Sequence, residues 1–438
     1  MTHSFISSPA KCLQGDITVP GDKSISHRAI ILGAIAKGIT IIHGFLDGED
    51  CLATLHAVES MGVRIERDGH DVVIHGVGKY GLQRPLTPLD CGNSGTSMRL
   101  LAGLLSAQSF DTELTGDQSL SKRPMDRIRR PLLQMGADVT AIEGRPPLLI
   151  RGGHALQGIT YTMPEASAQV KSCILLAGMY ARGETRIIEP GLTRDHTERM
   201  LASFSYPLKQ SKHLIVINAE YECQGTDITV PGDMSSAAFF IVAATLIPHS
   251  NVLIRNVGVN STRTGLLPIL KRMGANISIS NRRQLGEEPI ADLHVRYAPL
   301  QGVVIPESIV PDAIDEFPVL FIAAACAEGQ TLLHGAKELR CKESDRIRAM
   351  ADGLTCLGIE AKALDDGIFI RGGTLQGGLI DSRHDHRIAM AFAIAGAVAT
   401  APVIIKYCDN VATSFPTFVA LANRMNMSII EESTEYES

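Results

Sequence analysis

The feature that most constrains this chain is a six-residue segment, Ile-Thr-Val-Pro-Gly-Asp, which occurs twice. The copies run from Ile17 to Asp22 and from Ile228 to Asp233. Each copy predicts a short β-strand, a Pro-Gly turn and an aspartate that leads into a helix start containing serine. Because both halves of the sequence contain the same strand-turn-helix unit, we expect a repeat architecture.

Four other segments predict helix starts of the same kind, which brings the number of units to six. The starts lie near Ser24, Ser94, Ser167, Ser235, Asp315 and His386. They follow one another at intervals of about 70 residues, close to one sixth of the chain. After each helix come a β-branched strand, a polar loop, a second helix and a pair of strands. Glycines that the pattern identifies as C-caps of second helices are Gly62, Gly136, Gly274 and Gly358. The last unit is interpreted as truncated at residues 427–430.

Six units of this kind predict an α/β protein without a single Rossmann-type strand order. A chain of 438 residues exceeds the usual size of one hydrophobic core, so we expect two domains of three units each. Residues 388–405 carry no charge and are long enough to raise the question of a membrane span. Their alanines, Pro402 and the preceding Arg387 favour a buried helix followed by a strand.

Composition excludes several classes of protein. The net charge of −6 argues against a nucleic-acid-binding protein. The nine cysteines contain no CxxC pair, which argues against a structural zinc site or a disulfide framework and fits a reducing compartment. Residues 1–16 lack the apolar core of a signal peptide, so the expected location is the cytoplasm.

Basic residues are concentrated at the predicted helix starts, where free backbone N–H groups attract anions. The first such loop contains Lys23, Ser24 and Arg28, and predicts a phosphate or carboxylate site; a solvated helix cap is the alternative. The second, residues 91–96, is a glycine-rich turn that lets backbone approach a ligand closely. Such turns are common, so this one is a weak signal by itself.

The third loop contains Ser167, Ala168 and Gln169, with Lys171 two residues further on. The fourth is the charged run at residues 342–346, followed by Arg348. Charged runs more often form an exposed helix face with pairs at i and i+4, and that alternative stays open from spacing alone.

Two further segments add charged groups, Arg123 and the run from His384 to Arg387. The histidines and Asp385 have spacing that a metal site could use, but Arg387 would repel a cation, so anion binding is favoured.

Asp315 and Glu343 are the carboxylates best placed for proton transfer. If the repeats stack so that these loops face one cleft, that cleft suits a pair of small substrates with several negative charges. The cations counted for it are Lys23, Arg28, Arg123, Lys171, Arg194, Lys342, Arg346 and Arg387.

Six ordered motifs give the chain a specific resemblance to the 5-enolpyruvylshikimate-3-phosphate (EPSP) synthase family. They are PGDKSISHRA, GNSGTSMRLL, SKRPMDR, SAQVKS, KESDRI and DHRIAM, and the resemblance extends from Ile17 to the TSFP segment that begins at Thr413. The sequences of the SAQVKS and TRDHTERM segments resemble those of the second class of that family. The resemblance implies a two-domain inside-out α/β barrel, the enolpyruvyl transferase fold, with three repeats per domain. It also implies that residues 1–19 join residues 230–438 in one domain and that residues 20–229 form the other.

The implied reaction transfers the enolpyruvyl group of phosphoenolpyruvate to the 5-hydroxyl of shikimate 3-phosphate and releases phosphate through a tetrahedral intermediate. By resemblance, the shikimate 3-phosphate residues are Lys23, Ser24, Arg28, Ser167, Ala168, Gln169, Arg194, Asp315 and Lys342. The phosphoenolpyruvate residues are Lys23, Gly95, Arg123, Gln169, Arg346 and Arg387. Asp315 is the implied proton acceptor, Glu343 the proton donor, and Lys23 a third catalytic residue. No metal or organic cofactor, nucleic acid or membrane partner is implied, and the expected state is a monomer.

Two departures from the family pattern matter. The first class carries a lysine in the loop where this chain has residues 411–414, so no cation is assigned there. Gly95 stands where glyphosate-tolerant members of the second class often have alanine, and a methyl group would intrude on the inhibitor. We therefore expect a glyphosate-sensitive enzyme.

Two other functions are alternatives. An enolpyruvyl transferase acting on a UDP-amino sugar shares the implied fold, but that family uses a cysteine-bearing loop and the corresponding segment, residues 111–122, has no cysteine. A non-catalytic anion-binding protein with two lobes would keep the cations but would not need Asp315 and Glu343.

Overall fold

The computed structural model describes residues 2–434. These residues form two compact units. The first unit comprises residues 21–230 and 285–288, and the second comprises the described parts of residues 1–20, 231–284 and 289–438. The chain passes from one unit to the other directly after each Ile-Thr-Val segment, at Pro20 and at Val230.

The α-helices follow the repeated pattern along the chain. They are α1 (Lys23–Ile35), α2 (Glu49–Ser60), α3 (Gly95–Leu105), α4 (Asp126–Gln134), α5 (Ala168–Gly178), α6 (His196–Ser203), α7 (Met234–Leu246), α8 (Leu266–Arg272), α9 (Val310–Ala313), α10 (Phe317–Ala325), α11 (Arg346–Cys356), α12 (His386–Val398) and α13 (Phe418–Arg424). Short 3-10 helices cover Leu120–Lys122, Ser261–Arg263, Glu307–Ile309, Lys337–Cys341 and Asp409–Thr413.

The strands lie between these helices. They are β1 (Thr2–Ser8), β2 (Gln14–Thr18), β3 (Lys37–His43), β4 (Arg64–Asp68), β5 (Asp71–Val77), β6 (Leu89–Asp90), β7 (Thr112–Thr115), β8 (Asp138–Ile142), β9 (Arg145–Arg151), β10 (Thr160–Thr162), β11 (Thr185–Ile188), β12 (Lys209–Ser211), β13 (Leu214–Ile217), β14 (Asp227–Thr229), β15 (Asn251–Gly258), β16 (Asn276–Leu285), β17 (Glu288–Arg296), β18 (Gln330–Leu333), β19 (Glu360–Leu364), β20 (Gly367–Arg371), β21 (Gly378–Asp381), β22 (Val403–Lys406) and β23 (Ser428–Thr434).

Each unit contains sheets of one recurring design. In the first unit the strand orders are β14-β3-β5-β4, β6-β7-β9-β8 and β10-β11-β13-β12. The outer strand is parallel to its neighbour, and the next pairings are antiparallel. The second unit has the orders β2-β15-β17-β16, β21-β22-β1-β23 and β18-β20-β19, the last extended by a parallel bridge between Val304 and Leu332. The six predicted units therefore correspond to six sheets.

The sixth unit is completed by the start of the chain, so its interpretation as truncated was wrong. Strand β1 lies between β22 and β23 and is antiparallel to both. Phe5 pairs with Ile405 on one side and with Glu431 on the other. The missing strand could not be recognised from the local pattern because it comes from the other end of the described chain, where Phe5 pairs with Ile405.

The predicted helix starts and ends have the expected local structure. Serine or aspartate side chains accept a backbone N–H at the starts of α1, α3, α5, α7, α11 and α12. The predicted C-cap glycines Gly62, Gly136, Gly274 and Gly358 all have positive φ, between 85° and 103°. In the first Pro-Gly turn a Cβ on Gly21 would lie 2.1 Å from the carbonyl oxygen of Gly44, so only glycine fits there.

The first helix of each repeat is buried on nearly all sides. Helix α7, for example, has only one residue that is not fully buried, Leu246. Such burial explains why these helices lack a polar face. Residues 388–405 form the greater part of helix α12 and strand β22, which confirms the buried helix and following strand predicted for them. None of the helices in residues 2–434 has the length and apolarity needed to span a membrane.

Candidate active site

Most of the functional residues predicted in the first unit lie at the starts of its three buried helices, α1, α3 and α5. Arg123 lies before α4 and Arg194 before α6. At the start of α1, the Asp22 side chain accepts the backbone N–H of Ile25 at 2.9 Å and fixes the helix cap. The Lys23 ammonium donates to Asp50 Oδ2 at 2.9 Å. This ion pair holds the lysine at the mouth of the helix, with Ser24 half-buried beside it.

Arg28 lies one turn further along α1 and is buried. Its Nε donates to Thr197 Oγ1 at 2.7 Å and its Nη2 donates to Ser172 Oγ at 2.7 Å, while Nη1 donates to the carbonyl oxygen of Ser24 at 2.9 Å. Burial lowers the pKa of Arg28 to about 10, although the negative charge of Glu198 opposes part of that shift. The guanidinium is therefore held in one orientation by its own helix and by α5 and α6, and it stays charged at neutral pH.

The start of α3 lies beside the loop at residues 123–125, which contains Arg123 and precedes α4. Ser94 caps α3 by accepting the N–H of Ser97 at 3.1 Å. Arg123 Nη2 donates to Asn93 Oδ1 at 2.7 Å. A Cβ built on Gly95 would lie 3.2 Å from Arg123 Nη1 and 2.7 Å from Arg99 Nη1. The structure thus brings Gly95 and Arg123 side by side, as their shared assignment to one ligand requires.

Gln169 joins the start of α5 to the start of α3. Ser167 is the N-cap of α5 and Ala168 is its first residue. The Gln169 Oε1 atom accepts from Arg99 Nη1 at 2.7 Å, and its Nε2 atom donates to Thr96 Oγ1 at 3.0 Å. The start of α3, the start of α5 and the loop that contains Arg123 therefore share one hydrogen-bonded cluster.

Lys171 does not belong to this cluster, which corrects its place among the cations expected to face a ligand. Its ammonium is buried and lies 2.6 Å from Glu198 Oε1 and 3.1 Å from Glu189 Oε1. Burial raises the pKa of Glu198, and the Lys171 charge opposes that shift. Arg194, by contrast, is half-buried. It lies near enough to Arg28 for its positive charge to lower the pKa of Arg28.

In the second unit, Arg346 is the centre of a cluster of carboxylates. The side chain is buried at the first position of α11. Its Nε donates to Asp385 Oδ2 at 2.8 Å, Nη1 donates to Asp315 Oδ1 at 3.3 Å and Nη2 donates to Glu343 Oε2 at 2.5 Å. Burial lowers the pKa of Arg346, but the charges of Asp385, Glu343 and Asp315 outweigh it and the net shift is upward.

Asp315 is surrounded by three cations from two helix starts, those of α11 and α12. Besides Arg346, Lys342 Nζ lies 3.7 Å from its Oδ1, and Arg387 Nη2 lies 4.0 Å from its Oδ2. Arg387 Nη1 also donates to the Asp315 carbonyl oxygen at 3.0 Å. The structure therefore brings together the five second-unit residues that the resemblance assigned to the site: Asp315, Lys342, Glu343, Arg346 and Arg387.

Three residues that sequence reasoning did not assign hold these clusters in place. Asp50 pairs with Lys23, Arg99 binds Gln169, and Asp385 binds both Arg346 and the backbone N–H of Arg387. Asp385 had been weighed only as a metal ligand. Within residues 2–434 no group of three or more His, Cys, Asp or Glu side chains could hold a metal ion. Arg99 offered a signal that could have been used, a lone charge inside an otherwise apolar helix.

Comparisons with known proteins agree over almost the whole chain. A family model for EPSP synthase (3-phosphoshikimate 1-carboxyvinyltransferase) matches residues 8–421. A 3-phosphoshikimate 1-carboxyvinyltransferase of Legionella pneumophila (strain Corby) is 67% identical over 431 residues, covering 98% of this chain and 100% of the relative. The enzyme of that name from Methylococcus capsulatus is 57% identical, covering 97% of this chain and 98% of the relative.

Solved structures give the same result. The structure of EPSP synthase from Acinetobacter baumannii is similar with a TM-score of 0.88 and 53% identity, covering 99% of this chain and 100% of that one. The enolpyruvyl transferase NikO from Streptomyces tendae is similar in fold, with a TM-score of 0.82, 16% identity and the same coverage. The fold is that of the enolpyruvyl transferases, as predicted. Within that class, the chain belongs to the EPSP synthase family.

Proposed function

We propose that this protein transfers the enolpyruvyl group of phosphoenolpyruvate to the 5-hydroxyl of shikimate 3-phosphate and releases phosphate. The observation that carries the proposal is the 67% identity, over the full length of the relative, to a protein named 3-phosphoshikimate 1-carboxyvinyltransferase. The reaction serves the shikimate pathway to aromatic amino acids. It must move one proton from the attacking hydroxyl and another to the methylene carbon, and it must remove a proton from the resulting methyl group as phosphate leaves. It must also stabilise several negative charges.

The residues of the first unit bind and orient the substrates in this proposal. Lys23, Ser24 and Arg28 hold shikimate 3-phosphate, and Ser167, Ala168 and Gln169 cradle its phosphate and ring with help from Arg194. Lys23, Gly95, Arg123 and Gln169 contact phosphoenolpyruvate. The fixed orientations of Arg28 and Gln169 support these roles, because a preorganised donor loses little entropy when an anion binds.

The residues of the second unit carry out the proton transfers. Asp315 accepts the proton of the 5-hydroxyl, with Lys342 beside it, and Glu343 delivers a proton to the methylene carbon. Arg346 and Arg387 bind phosphoenolpyruvate. The support is geometric: Asp315 and Glu343 are held by the same guanidinium, that of Arg346, at 3.3 Å and 2.5 Å. Two carboxylates this close together can act on the two substrates at once, one as the base for the hydroxyl and the other as the acid for the methylene carbon.

Glu343 needs a change of partner before it can act as an acid. An ionised carboxylate paired with Arg346 accepts hydrogen bonds and donates none. We infer that an acidic group of phosphoenolpyruvate replaces Glu343 at the Arg346 guanidinium, so that Glu343 can take up the proton that it delivers. Substrate binding would thereby prepare the proton donor.

We also propose that the two compact units are the two domains, that the protein acts as a monomer in the cytoplasm, and that no metal or organic cofactor takes part. The change of unit at Pro20 and at Val230 supports the domain assignment. Size-exclusion chromatography with light scattering tests the oligomeric state.

Phosphate release is the experiment that tests the reaction. Phosphate would be measured with phosphoenolpyruvate and either shikimate 3-phosphate or UDP-N-acetylglucosamine as acceptor. Release with the shikimate compound alone is the expected result. Release only with the UDP-sugar would replace the proposal by the other enolpyruvyl transfer, and release with neither would favour a binding protein.

Glyphosate sensitivity is a separate proposal that rests on Gly95. A methyl group at this position would lie 2.7 Å from Arg99 Nη1 and 3.2 Å from Arg123 Nη1, so it would crowd the part of the site where the inhibitor is proposed to bind. We expect glyphosate to inhibit competitively with phosphoenolpyruvate at micromolar concentration. The proposal fails if the enzyme is active but keeps its full rate at high doses of the inhibitor.

A further inference from the structure

Arg99 is a buried arginine that the proposed reaction does not use. It lies in α3, one turn after Gly95, between Met98 and Leu100. Only 4% of the residue is exposed. An arginine is seldom buried to this extent unless its charge and its donors serve a purpose, because removal of the guanidinium from water is costly.

The contacts of Arg99 reach three segments that carry proposed phosphoenolpyruvate residues. Its Nη1 donates to Gln169 Oε1 at 2.7 Å, the shortest of these contacts, and more weakly to the Gly95 carbonyl oxygen at 3.4 Å. Its Nη2 lies 3.4 Å from the carbonyl oxygen of Pro124, the residue after Arg123. One side chain therefore links the starts of α3 and α5 with the Arg123 loop.

The contact with Gln169 decides which end of that amide can meet an anion. Arginine is only a donor, so it requires the amide oxygen to face it. The amide nitrogen then points away from Arg99, and one of its two hydrogens is donated to Thr96 Oγ1 at 3.0 Å. The second N–H is left to donate to a ligand. With the amide turned over, Gln169 would present an oxygen to an anionic substrate and repel it.

The lack of a side chain at Gly95 makes this arrangement possible. A Cβ at that position would lie 2.7 Å from Arg99 Nη1 and 3.6 Å from Arg99 Cζ. Since the first distance is shorter than a real Cβ contact, an alanine would push the guanidinium away from its place. Gln169 would then lose the partner that orients its amide, although Gly95 and Gln169 are far apart in the sequence.

We propose that Arg99 is a positioning residue that holds Gln169 with its N–H groups toward phosphoenolpyruvate, and that Gly95 is needed to make room for Arg99. The inference rests on the proposed function. It adds a route by which a methyl group at Gly95 weakens substrate binding, in addition to a direct clash with a ligand.

A double-mutant cycle tests the coupling between Arg99 and Gln169. Arg99→Met keeps most of the side-chain length and removes the donors. We expect it to raise the KM for phosphoenolpyruvate about tenfold, the value of one hydrogen bond to a charged group, with a smaller change in kcat. In the Gln169→Met background, Arg99→Met should raise the KM for phosphoenolpyruvate less than about twofold further, because the amide that Arg99 orients is absent.

Arg99→Lys and Arg151→Met provide the controls. The lysine keeps the charge and one donor group, so it should restore part of the KM even if Arg99→Met folds poorly. Arg151 is exposed and pairs with Asp111 in the same unit, and its replacement should change neither kinetic constant. Equal effects of Arg99→Met in the presence and absence of the Gln169 amide would overturn the inference.

The Gly95 part of the proposal has its own cycle. We expect Gly95→Ala to raise the KM for phosphoenolpyruvate less in the Arg99→Met background than in the unaltered enzyme, since the clash with the guanidinium is absent there. Independent, additive effects would mean that the methyl group acts on the ligand alone. If the unaltered protein released no phosphate with shikimate 3-phosphate, the proposed function itself would have failed, which is a different outcome from additivity.

Discussion

The two copies of Ile-Thr-Val-Pro-Gly-Asp fold alike but lead to different chemistry. In both, the final aspartate is extended, with φ and ψ of −60° and 123° at Asp22 and −70° and 122° at Asp233. Each aspartate then accepts a backbone N–H from the first turn of a buried helix. The shared sequence therefore fixes the turn and the cap, and nothing more.

The residues that follow each cap separate the two copies. After Asp22 come Lys23 and, one turn later, Arg28, both of them held in orientation by side chains from other segments. After Asp233 comes Ser235, whose hydroxyl donates to Glu316, and Arg263 donates to both Asp233 and Ser235. The first copy is thus followed by two cations that are proposed to bind a ligand, whereas the second is followed by a buried network of Ser235, Arg263 and Glu316. Glu316 Oε1 also lies 3.8 Å from Arg387 Nη1. Under the proposed roles of Lys23 and Arg28, a duplicated scaffold keeps its fold in both copies while one of them supplies a binding loop.

The largest expected effect concerns the carboxylates of the second unit. Asp315→Asn and Glu343→Gln each remove a proton-transfer group, so we expect kcat to fall about 100-fold or more. Glu360→Gln is a matched control, because Glu360 is an exposed carboxylate in the same unit. Rates would be measured by phosphate release at saturating substrate. Nearly normal kcat values in both site variants would assign proton transfer to other groups and would favour the anion-binding alternative.

The next prediction contrasts the two copies directly. Arg263→Met breaks a buried ion pair with Asp233, so the free energy of unfolding should fall by about 3 kcal/mol or more. Lys23→Met takes a partner from the buried Asp50 carboxylate, so it should lower that free energy by about 1 to 3 kcal/mol. It should also abolish most activity per folded molecule, because Lys23 is proposed to bind both substrates. Urea unfolding and kcat per folded molecule separate the two effects.

Arg255→Met is the control for Arg263→Met. Arg255 pairs with Asp16 at an exposed position of the same unit, so its loss should cost little. If Arg263→Met lowered activity at unchanged stability, the second copy would also be part of the ligand site, and the two copies would not differ in function.

The sequence predicted the local structure well where one residue type decides it. Gly62 and Gly358 could be recognised as C-caps because a left-handed residue after an apolar helix favours glycine. Strand β1 could not be placed in the sixth sheet by the same means. Its pairing with β22 and β23 depends on contacts between the two ends of the chain, and no local pattern reports them.

The candidate site shows the same limit. The motifs identified Arg346, Asp315 and Glu343, since helix-start cations and carboxylates stand out in the sequence. The count of cations at helix starts did not distinguish Lys171, which forms buried ion pairs, from the cations that could meet a ligand, although the resemblance left Lys171 out of both substrate lists. The direction of a long side chain depends on partners from other repeats, such as Glu198, and these are known only after folding.

A smaller effect on stability is expected from His27. It lies in α1 at the position that corresponds to Ala238 in α7. Burial lowers the pKa of His27 well below its ordinary value, and the charges of Lys23 and Arg28 add to this, while Asp22 opposes it. The unfolded chain, with a histidine pKa of about 6.5, therefore binds the proton more readily than the folded one. Stability should fall as the pH drops below about 6.5, by at most about 1.4 kcal/mol per pH unit.

His27→Gln should flatten this loss, because glutamine does not titrate. The measurement is the free energy of urea unfolding between about pH 5 and about pH 8 in both proteins. Ala238→Gly provides a comparison at the matching position of α7, and it should lower stability equally at every pH. An unchanged acid loss in His27→Gln would assign the pH dependence to other groups.

The smallest expected effect separates two arginines of α11. Arg348 is two positions after Arg346, about 200° around the helix, so the two side chains lie on opposite faces. The Arg346 side chain is 1% exposed and contacts three carboxylates, whereas Arg348 is 64% exposed and pairs with Asp352 at 2.9 Å. Arg348→Ala should therefore change the free energy of unfolding by at most about 0.5 kcal/mol and leave kcat/KM unaltered. Arg346→Ala, measured alongside it, should abolish most activity. Equal losses in the two variants would mean that the density of positive charge at this helix start matters more than the geometry around Arg346.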